Sequence, residues 1–245
     1  MWPFAGLGAL FGNSIGMNRW IVESSGGVTL IAGGPVAARD LRLALARAPA
    51  LVAADGGADR ALALGAEPLA VIGDFDSIGA AARARLAGRL HAVAEQETTD
   101  FDKALRSVSA RFVIALGVLG GRVDHALAAL TVLVARSDLP VVALGRDDVV
   151  FAAPPRLVLE LRAGDRVSLY PLARVTGAST GLDWPIAGLV LAPDARVGTS
   201  NRVTAGRVEL HFDTPGMLVI LPRARLDAAL DALAPGWRGV SSSAR

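Results

Sequence analysis

The chain is 245 residues long, with 52% hydrophobic and 20% charged residues and no cysteine. These values exclude a disulfide framework, a thiolate zinc site, an iron–sulfur cluster, a cysteine nucleophile and a mainly disordered chain. The 25 basic and 23 acidic residues leave a net charge of only +2, too little to imply a nucleic-acid partner; Lys103 is the one basic residue that is not arginine.

Residues 1–27 read as a disordered extension. Met1 to Gly12 is apolar but too short to span a bilayer, which needs about 20 apolar residues, and it lacks the basic start of a signal peptide. Gly6, Gly8, Gly12 and Gly16 oppose a stable helix there. Met17 is an alternative start. No other segment reads as a membrane span, so a cytoplasmic protein without a membrane partner is expected.

Residues 28–152 alternate two patterns. Val28–Ala32, Leu51–Ala54, Leu69–Ile72, Phe112–Leu116 and Val141–Leu144 are short apolar runs bounded by Gly, Asp or Pro, the signature of buried strands. Between them Val36–Arg47, Ile78–Ala87, Phe101–Ser109 and Val123–Arg136 carry apolar residues at three-to-four spacing, as helices do. Such alternation predicts an α/β domain with a mostly parallel sheet flanked by helices. The pattern changes at Ala153-Pro154-Pro155. Residues 153–223 contain Leu157–Leu161, Arg166–Pro171, Ile186–Leu191, Arg207–Phe212 and Leu218–Leu221, separated by Gly, Pro, Asn and Asp turns, which predicts an all-β sandwich domain. A short helix over 224–233 and a flexible Ser-rich tail to 245 complete the chain.

Ligands of open α/β sheets bind beyond the carboxyl ends of the strands. Those ends are acidic and Gly-rich here: Asp55-Gly56-Gly57, Gly73-Asp74-Phe75-Asp76-Ser77, Glu95 to Asp100, and Gly120-Gly121-Arg122-Val123-Asp124-His125. Taken singly each has a plainer reading. Asp55-Gly56 and Gly120-Gly121 suit ordinary turns, Asp76 or Ser77 suits the cap of the next helix, and Asp100 suits the cap of a helix from Phe101. His125 reads equally as a helix-start residue or as a substrate contact. Together, carboxylates crowded on one rim need a cation to stay ionised, and an oxygen-only set favours Mg2+ with substrate phosphates. Glycines admit phosphates to the backbone, and Arg122 is placed to clamp one. Asp74, Asp76 and Asp100 are the expected metal residues, with Asp55 in the same acidic cluster. The Walker A motif, the GxGxxG fingerprint and zinc-spaced histidines are absent.

With ADGGA at 54–58, GDFDS at 73–77, TDFDKAL at 99–105, GGRVDH at 120–125, TGLDWPI at 180–186 and GTSN at 198–201, the chain resembles the thiamine pyrophosphokinase family over roughly residues 29 to 222. The resemblance implies an ATP-binding α/β domain followed by a β-sandwich, and Mg2+-dependent transfer of the terminal pyrophosphate of ATP to the hydroxyl of thiamine, with release of AMP. It implies a homodimer with the thiamine site between subunits. Asp74, Asp76, Asp100 and Arg122 are then the expected catalytic residues. Asp55, Gly56, Gly57, Lys103, Gly120, Gly121, Arg122, Asp124 and His125 are expected at the nucleotide, and Trp184, Ser200 and Asn201 at thiamine. On the residues alone Trp184 reads as sandwich core and Ser200-Asn201 as a polar hairpin turn, while Lys103, one helical turn after Asp100, lies near the same face, with a solvated helix residue as its plainer alternative. The family often carries Lys-Asp before its TD; Gln96 and Glu97 stand here, which removes one cation. The alternatives are another Mg2+-dependent ATP phosphotransferase acting on a different small alcohol, and a non-catalytic thiamine or nucleotide sensor.

Overall fold

The computed structural model describes residues 20–239; the readings of residues 1–19, the Met17 start and the Ser-rich tail lie outside them. The first half comprises β1 (Val22–Glu23), β2 (Gly27–Ile31), α1 (Ala38–Leu45), β3 (Ala50–Ala54), α2 (Gly57–Ala63), β4 (Ala70–Gly73), α3 (Ala80–Arg85), β5 (Leu90–Ala92), α4 (Asp100–Arg106), β6 (Val108–Ser109), β7 (Phe112–Leu116), α5 (Val123–Ala135), β8 (Val141–Leu144) and β9 (Asp148–Ala152). The second half comprises β10 (Arg156–Glu160), β11 (Arg166–Pro171), β12 (Gly177–Thr180), β13 (Gly198–Arg202), β14 (Arg207–Phe212), β15 (Met217–Pro222) and α6 (Leu226–Leu233).

Every residue of β2, β3 and β7 is buried, as their unbroken apolar sequences require of strands covered on both faces. Successive side chains point to opposite faces. Leu51 and Ala53 therefore join the core under α1, α2 and α3, while Val52 and Ala54 join the core under α4 and α5. β8, β7, β2, β3, β4 and β5 lie side by side in that order, all parallel. The chain goes from β2 to β3 on one side and reaches β7 on the other, so the strand order reverses between β2 and β7, the topological position at which such sheets form a ligand crevice.

β9 turns back antiparallel to β8, and β15, β11 and β13 follow it antiparallel, giving one sheet of ten strands that runs across residue 152. A three-stranded sheet, β10-β14-β12, covers this extension. β10 and β14 alternate buried and exposed residues, one face on the core and one in water. The second half is thus a sandwich, one layer of which continues the sheet of the first half.

Three expectations change. Ordered chain begins before Val28, because β1 pairs with β6; a two-residue strand leaves no periodicity to read. Ile186–Leu191 is a loop in which Gly188 has φ +76° and Leu191 alone bridges, to Val175; its apolar residues turn Ile186 inward without forming a strand. Gly57–Ala63 is helical where only a turn was read.

Candidate active site at the strand ends

Asp55 follows β3 with φ +41°, a conformation Asp tolerates better than most residues. This turn directs its side chain inward, where it is 3% exposed. Its Oδ2 accepts the Ser77 N–H at 3.0 Å, and its Oδ1 is buried without a hydrogen-bond partner. Asp74 follows β4. Its Oδ1 accepts the Asp76 N–H at 3.3 Å, and its Oδ2 accepts from Lys103 Nζ at 3.0 Å and Gln96 Nε2 at 3.2 Å. Asp76 Oδ1 accepts the Ser77 hydroxyl at 2.7 Å. One carboxylate oxygen from each of Asp55, Asp74 and Asp76 lies within 4.8 Å of the other two. Asp100, first residue of α4, joins them through Lys103, whose Nζ lies 3.0 Å from its Oδ1. A Cβ on residue 73 would stand 2.9 Å from Asp55 Cβ and 3.1 Å from Asp100 Oδ1, so glycine there lets the two carboxylates close on each other.

Asp55-Gly56 is the turn its plainer reading gives, but the plainer readings of Asp76, Ser77, Asp100 and Lys103 do not hold. Thr99, not Asp100, caps α4 by accepting the Asp102 N–H, and the cap of α3 is Gly79, not Asp76 or Ser77. Lys103 is 2% exposed, not solvated; it lies behind the carboxylates rather than on the cleft wall.

Burial raises the Asp55 carboxyl above its ordinary range, Asp100 adds repulsion, and the Ser77 N–H only partly offsets them. The Lys103 ammonium lowers Asp74. Burial disfavours the charge of Lys103 itself, but Asp74 and Asp100 outweigh that and raise its pKa. A buried, unpartnered carboxylate oxygen beside two other carboxylates is a costly arrangement that a cation relieves. The donors are all hard oxygens, which fits Mg2+.

Asp55 and Asp100 line a cleft of about 720 Å³ at the β2/β7 reversal, together with Gly33, Gly34, Gly56, Ser77, Gly117, Gly121, Arg122 and His125 among others, while Asp74 and Asp76 lie next to Asp55 outside that lining. Gly57 packs the start of α2 onto β2; a Cβ there would stand 2.1 Å from the Ile31 carbonyl oxygen. Gly120 and Gly121 lead into α5. Arg122 Nε and Nη2 donate to Asp124 at 3.1 and 2.5 Å, and Asp124 also accepts the His125 N–H at 3.0 Å. Arg122 holds the Asp124 carboxyl below its ordinary range. Both side chains are well exposed, and such surface pairs are weak, so a phosphate can displace Asp124 from Arg122 at little cost.

The order of the 95–99 loop rests on Glu95, which sequence spacing did not single out. The Thr98 hydroxyl, the N–H groups of Glu97 and Thr98 and the Arg106 guanidinium hold its carboxyl at about 2. Arg106 also faces Asp102, which Arg136, the residue after α5, grips at 2.7 and 3.1 Å. This chain of contacts runs from α5 through α4 to the loop that carries Gln96 to Asp74.

The third group, Trp184, Ser200 and Asn201, lies at the other edge of the sheet. Trp184 is 60% exposed, which overturns its reading as core. Ser200 and Asn201 lie within β13, not in a hairpin turn. Ser200 has φ +61°, and its N–H donates to Ser168 Oγ at 3.0 Å. Asn201 is 6% exposed; its Nδ2 donates to the Trp184 carbonyl at 2.7 Å, and its Oδ1 accepts the Trp184 N–H at 3.2 Å. β13 is the first strand of the ten-stranded order and β4 the ninth, eight strand steps away. At ~4.8 Å per strand step, Ser200 and Asp74 of one chain stand roughly 35–40 Å apart.

Comparison with known proteins agrees with this picture. The family model described as "Thiamin pyrophosphokinase, catalytic domain" matches residues 41–143. Thiamine pyrophosphokinase 2 of rice is 27% identical over 169 residues, covering 60% of this chain and 62% of that protein. Thiamine pyrophosphokinase 1 of rice is 27% identical over 206 residues, covering 69% and 77%. Among solved structures, the thiamin pyrophosphokinase of Geobacillus thermodenitrificans superposes with a TM-score of 0.65 at 23% identity, covering 80% of this chain and 96% of that one. That of Candida albicans gives 0.69 at 16% identity, covering 81% and 89%. At these identities the superpositions speak for the fold. The motifs at the strand ends, the matched catalytic-domain stretch and the fold over 80% of the chain thus agree: this chain is similar to the thiamine pyrophosphokinases in sequence and in architecture.

Proposed function

We propose that the protein is a Mg2+-dependent thiamine pyrophosphokinase. The thiamine hydroxyl oxygen bonds to the β-phosphorus of ATP, the bond from that phosphorus to the α–β bridging oxygen breaks, AMP leaves with the bridging oxygen, and the hydroxyl proton is released. The observation that carries this reading is the buried, unpartnered Asp55 Oδ1, grouped with Asp74 and Asp76 beside a cleft at the β2/β7 reversal, in a stretch that matches the catalytic domain of that family.

In this reading Asp55, Asp74 and Asp76 hold Mg2+, with Asp100 next to them. When bound, the ion neutralises phosphate charge and orients the transferred group. Lys103 keeps Asp74 ionised and holds both Asp74 and Asp100 from behind. The backbone at Gly56, Gly57, Gly120 and Gly121 receives phosphates, Arg122 offsets the charge that develops on the transferred group, and Asp124 and His125 hold the nucleotide and the loop. Alignment of the weakly nucleophilic hydroxyl with phosphorus supplies much of the rate.

Trp184, Ser200 and Asn201 belong to the thiamine site, where an exposed indole face suits a flat cationic ligand. Their separation from the carboxylates within one chain favours a homodimer in which the sandwich edge of one subunit completes the cleft of the other. Val123 and Leu127, 73% and 58% exposed on α5 beside that cleft, suit such a contact. No helix of the described residues is long and apolar enough to cross a membrane; the proposed setting is the cytoplasm, without a nucleic-acid or membrane partner.

The test is incubation with ATP, Mg2+ and thiamine. AMP and thiamine diphosphate in equal amounts are expected. ADP in place of AMP, or turnover only with other alcohols, makes the protein a different phosphotransferase. Binding without turnover makes it a sensor.

A further inference from the structure

We propose that Asn201 is a positioning residue that holds Trp184 as a rigid exposed platform, and that it does not itself touch the substrate. The inference rests on the thiamine-site reading above.

The Asn201 amide spends its capacity on backbone. Oδ1 accepts from the N–H groups of Trp184 and Arg202 at 3.2 and 2.9 Å, and Nδ2 donates to the Trp184 carbonyl at 2.7 Å. That is three of the four hydrogen bonds an amide can make. The side chain therefore grips both backbone polar groups of Trp184, as a neighbouring strand would. The neighbours of Trp184 are tied as well. Leu182 bridges Val203, the Asp183 N–H donates to the Arg202 carbonyl at 2.9 Å, the Asp183 carboxylate pairs with the Arg202 guanidinium, and the Ile186 N–H donates to Ser179 Oγ at 3.1 Å. Pro185 restricts the backbone of Trp184 from the other side.

A register shift between β11 and β13 at Val167 and Leu169 lies opposite this point. Irregularities of this kind re-aim side chains beside functional sites. Here the Ser168 hydroxyl takes the N–H of Ser200, Ser200 stays exposed, and Asn201 turns inward. The loop is thus ordered around an indole that gains little burial in return. An aromatic surface ordered before binding loses less freedom when a flat ligand settles on it.

The experiment uses the full-length chain with Trp2, Trp20 and Trp237 replaced by Phe, so that fluorescence reports Trp184 alone. Asn201→Ala should lower the anisotropy of Trp184 and raise the KM for thiamine about 10-fold or more, with kcat and the KM for ATP within about twofold of the parent. Asn201→Asp keeps the size and the acceptors, and places an oxygen against the Trp184 carbonyl. Positioning predicts the same rise in thiamine KM, whereas direct contact with the cationic substrate predicts tighter binding through the new carboxylate. Tighter thiamine binding by Asn201→Asp, or unchanged anisotropy in both variants, overturns the proposal. If Asn201→Ala does not fold, Asn201→Asp decides alone. If Trp184→Ala leaves the thiamine KM unchanged while the anisotropy responds to Asn201, the thiamine-site reading fails and the positioning role stands.

Discussion

Replacing Lys103 by Met removes a buried cation while nearly preserving side-chain volume. Its Nζ stands 3.0 Å from both Asp74 Oδ2 and Asp100 Oδ1. At an effective dielectric of ~20 each contact is worth about 5–6 kcal/mol gross, and desolvation of the ions takes back most of it. Breaking a buried pair by deleting one partner costs about 3–5 kcal/mol. The two carboxylates retain some solvent, with side-chain exposures of 17% and 29%, so about 2–4 kcal/mol is the expected loss. For a chain of this size Tm should fall by roughly 5–12 °C. Urea denaturation in metal-free buffer measures it, and a double-mutant cycle with Asp74→Asn should show a coupling of about 1–3 kcal/mol. Lys103→Arg keeps the charge but forces a larger planar group into a closed space, for a loss of about 1–3 kcal/mol. A Lys103→Met loss below about 1 kcal/mol, or additivity with Asp74→Asn, would refute the view of Lys103 as an internal counter-ion.

Asp55→Asn should stabilise the metal-free protein at pH 7 by a few degrees in Tm and abolish any further gain on adding Mg2+. Because burial raises the Asp55 pKa, its charge penalises the fold at high pH; the gain from Asn should therefore vanish as pH falls below the ordinary carboxylate range, where both states are protonated. Thermal melts from pH 3 to 8 with and without Mg2+ check this. Gly57→Ala should destabilise by about 2–3 kcal/mol or prevent folding, since the added carbon meets the Ile31 carbonyl; chemical denaturation reads it. Mixing inactive Asp74→Asn and Trp184→Ala chains after unfolding together should restore about one quarter of wild-type turnover, because half of a random set of dimers carries one intact shared site. No recovery would place both residues in a site within one chain.

What could be read from the sequence divides along physical lines. β2, β3, β7 and β8 are buried on both faces, so their composition alone marks them, and Phe112–Leu116 and Val141–Leu144 are observed as read. β12 and β13 read GAST and GTSNR, edge segments whose order comes from partners rather than from apolar content. The acidic strand ends were visible as motifs, but the place of Asp55 was not. It depends on a left-handed backbone angle that only the packed turn from β3 to α2 reveals. Lys103 lies one turn from Asp100, which the spacing shows; that Asp74 closes on its other side requires the sheet. Trp184 carried the opposite lesson: aromatic residues of a sandwich usually face the core, and this one is held outward by a polar side chain seventeen residues later in the sequence.

The continuous sheet sets a timetable for synthesis. β9 finds its outer neighbour in β15, roughly 65 residues further along, which at ~5–20 residues per second arrives about 3–13 s later. Until then the Val149-Val150-Phe151 segment presents an open hydrogen-bonding edge, a template for pairing with other chains. A nascent chain stopped near Pro154 would carry the whole cleft and every candidate metal carboxylate, yet remain the species most exposed to aggregation.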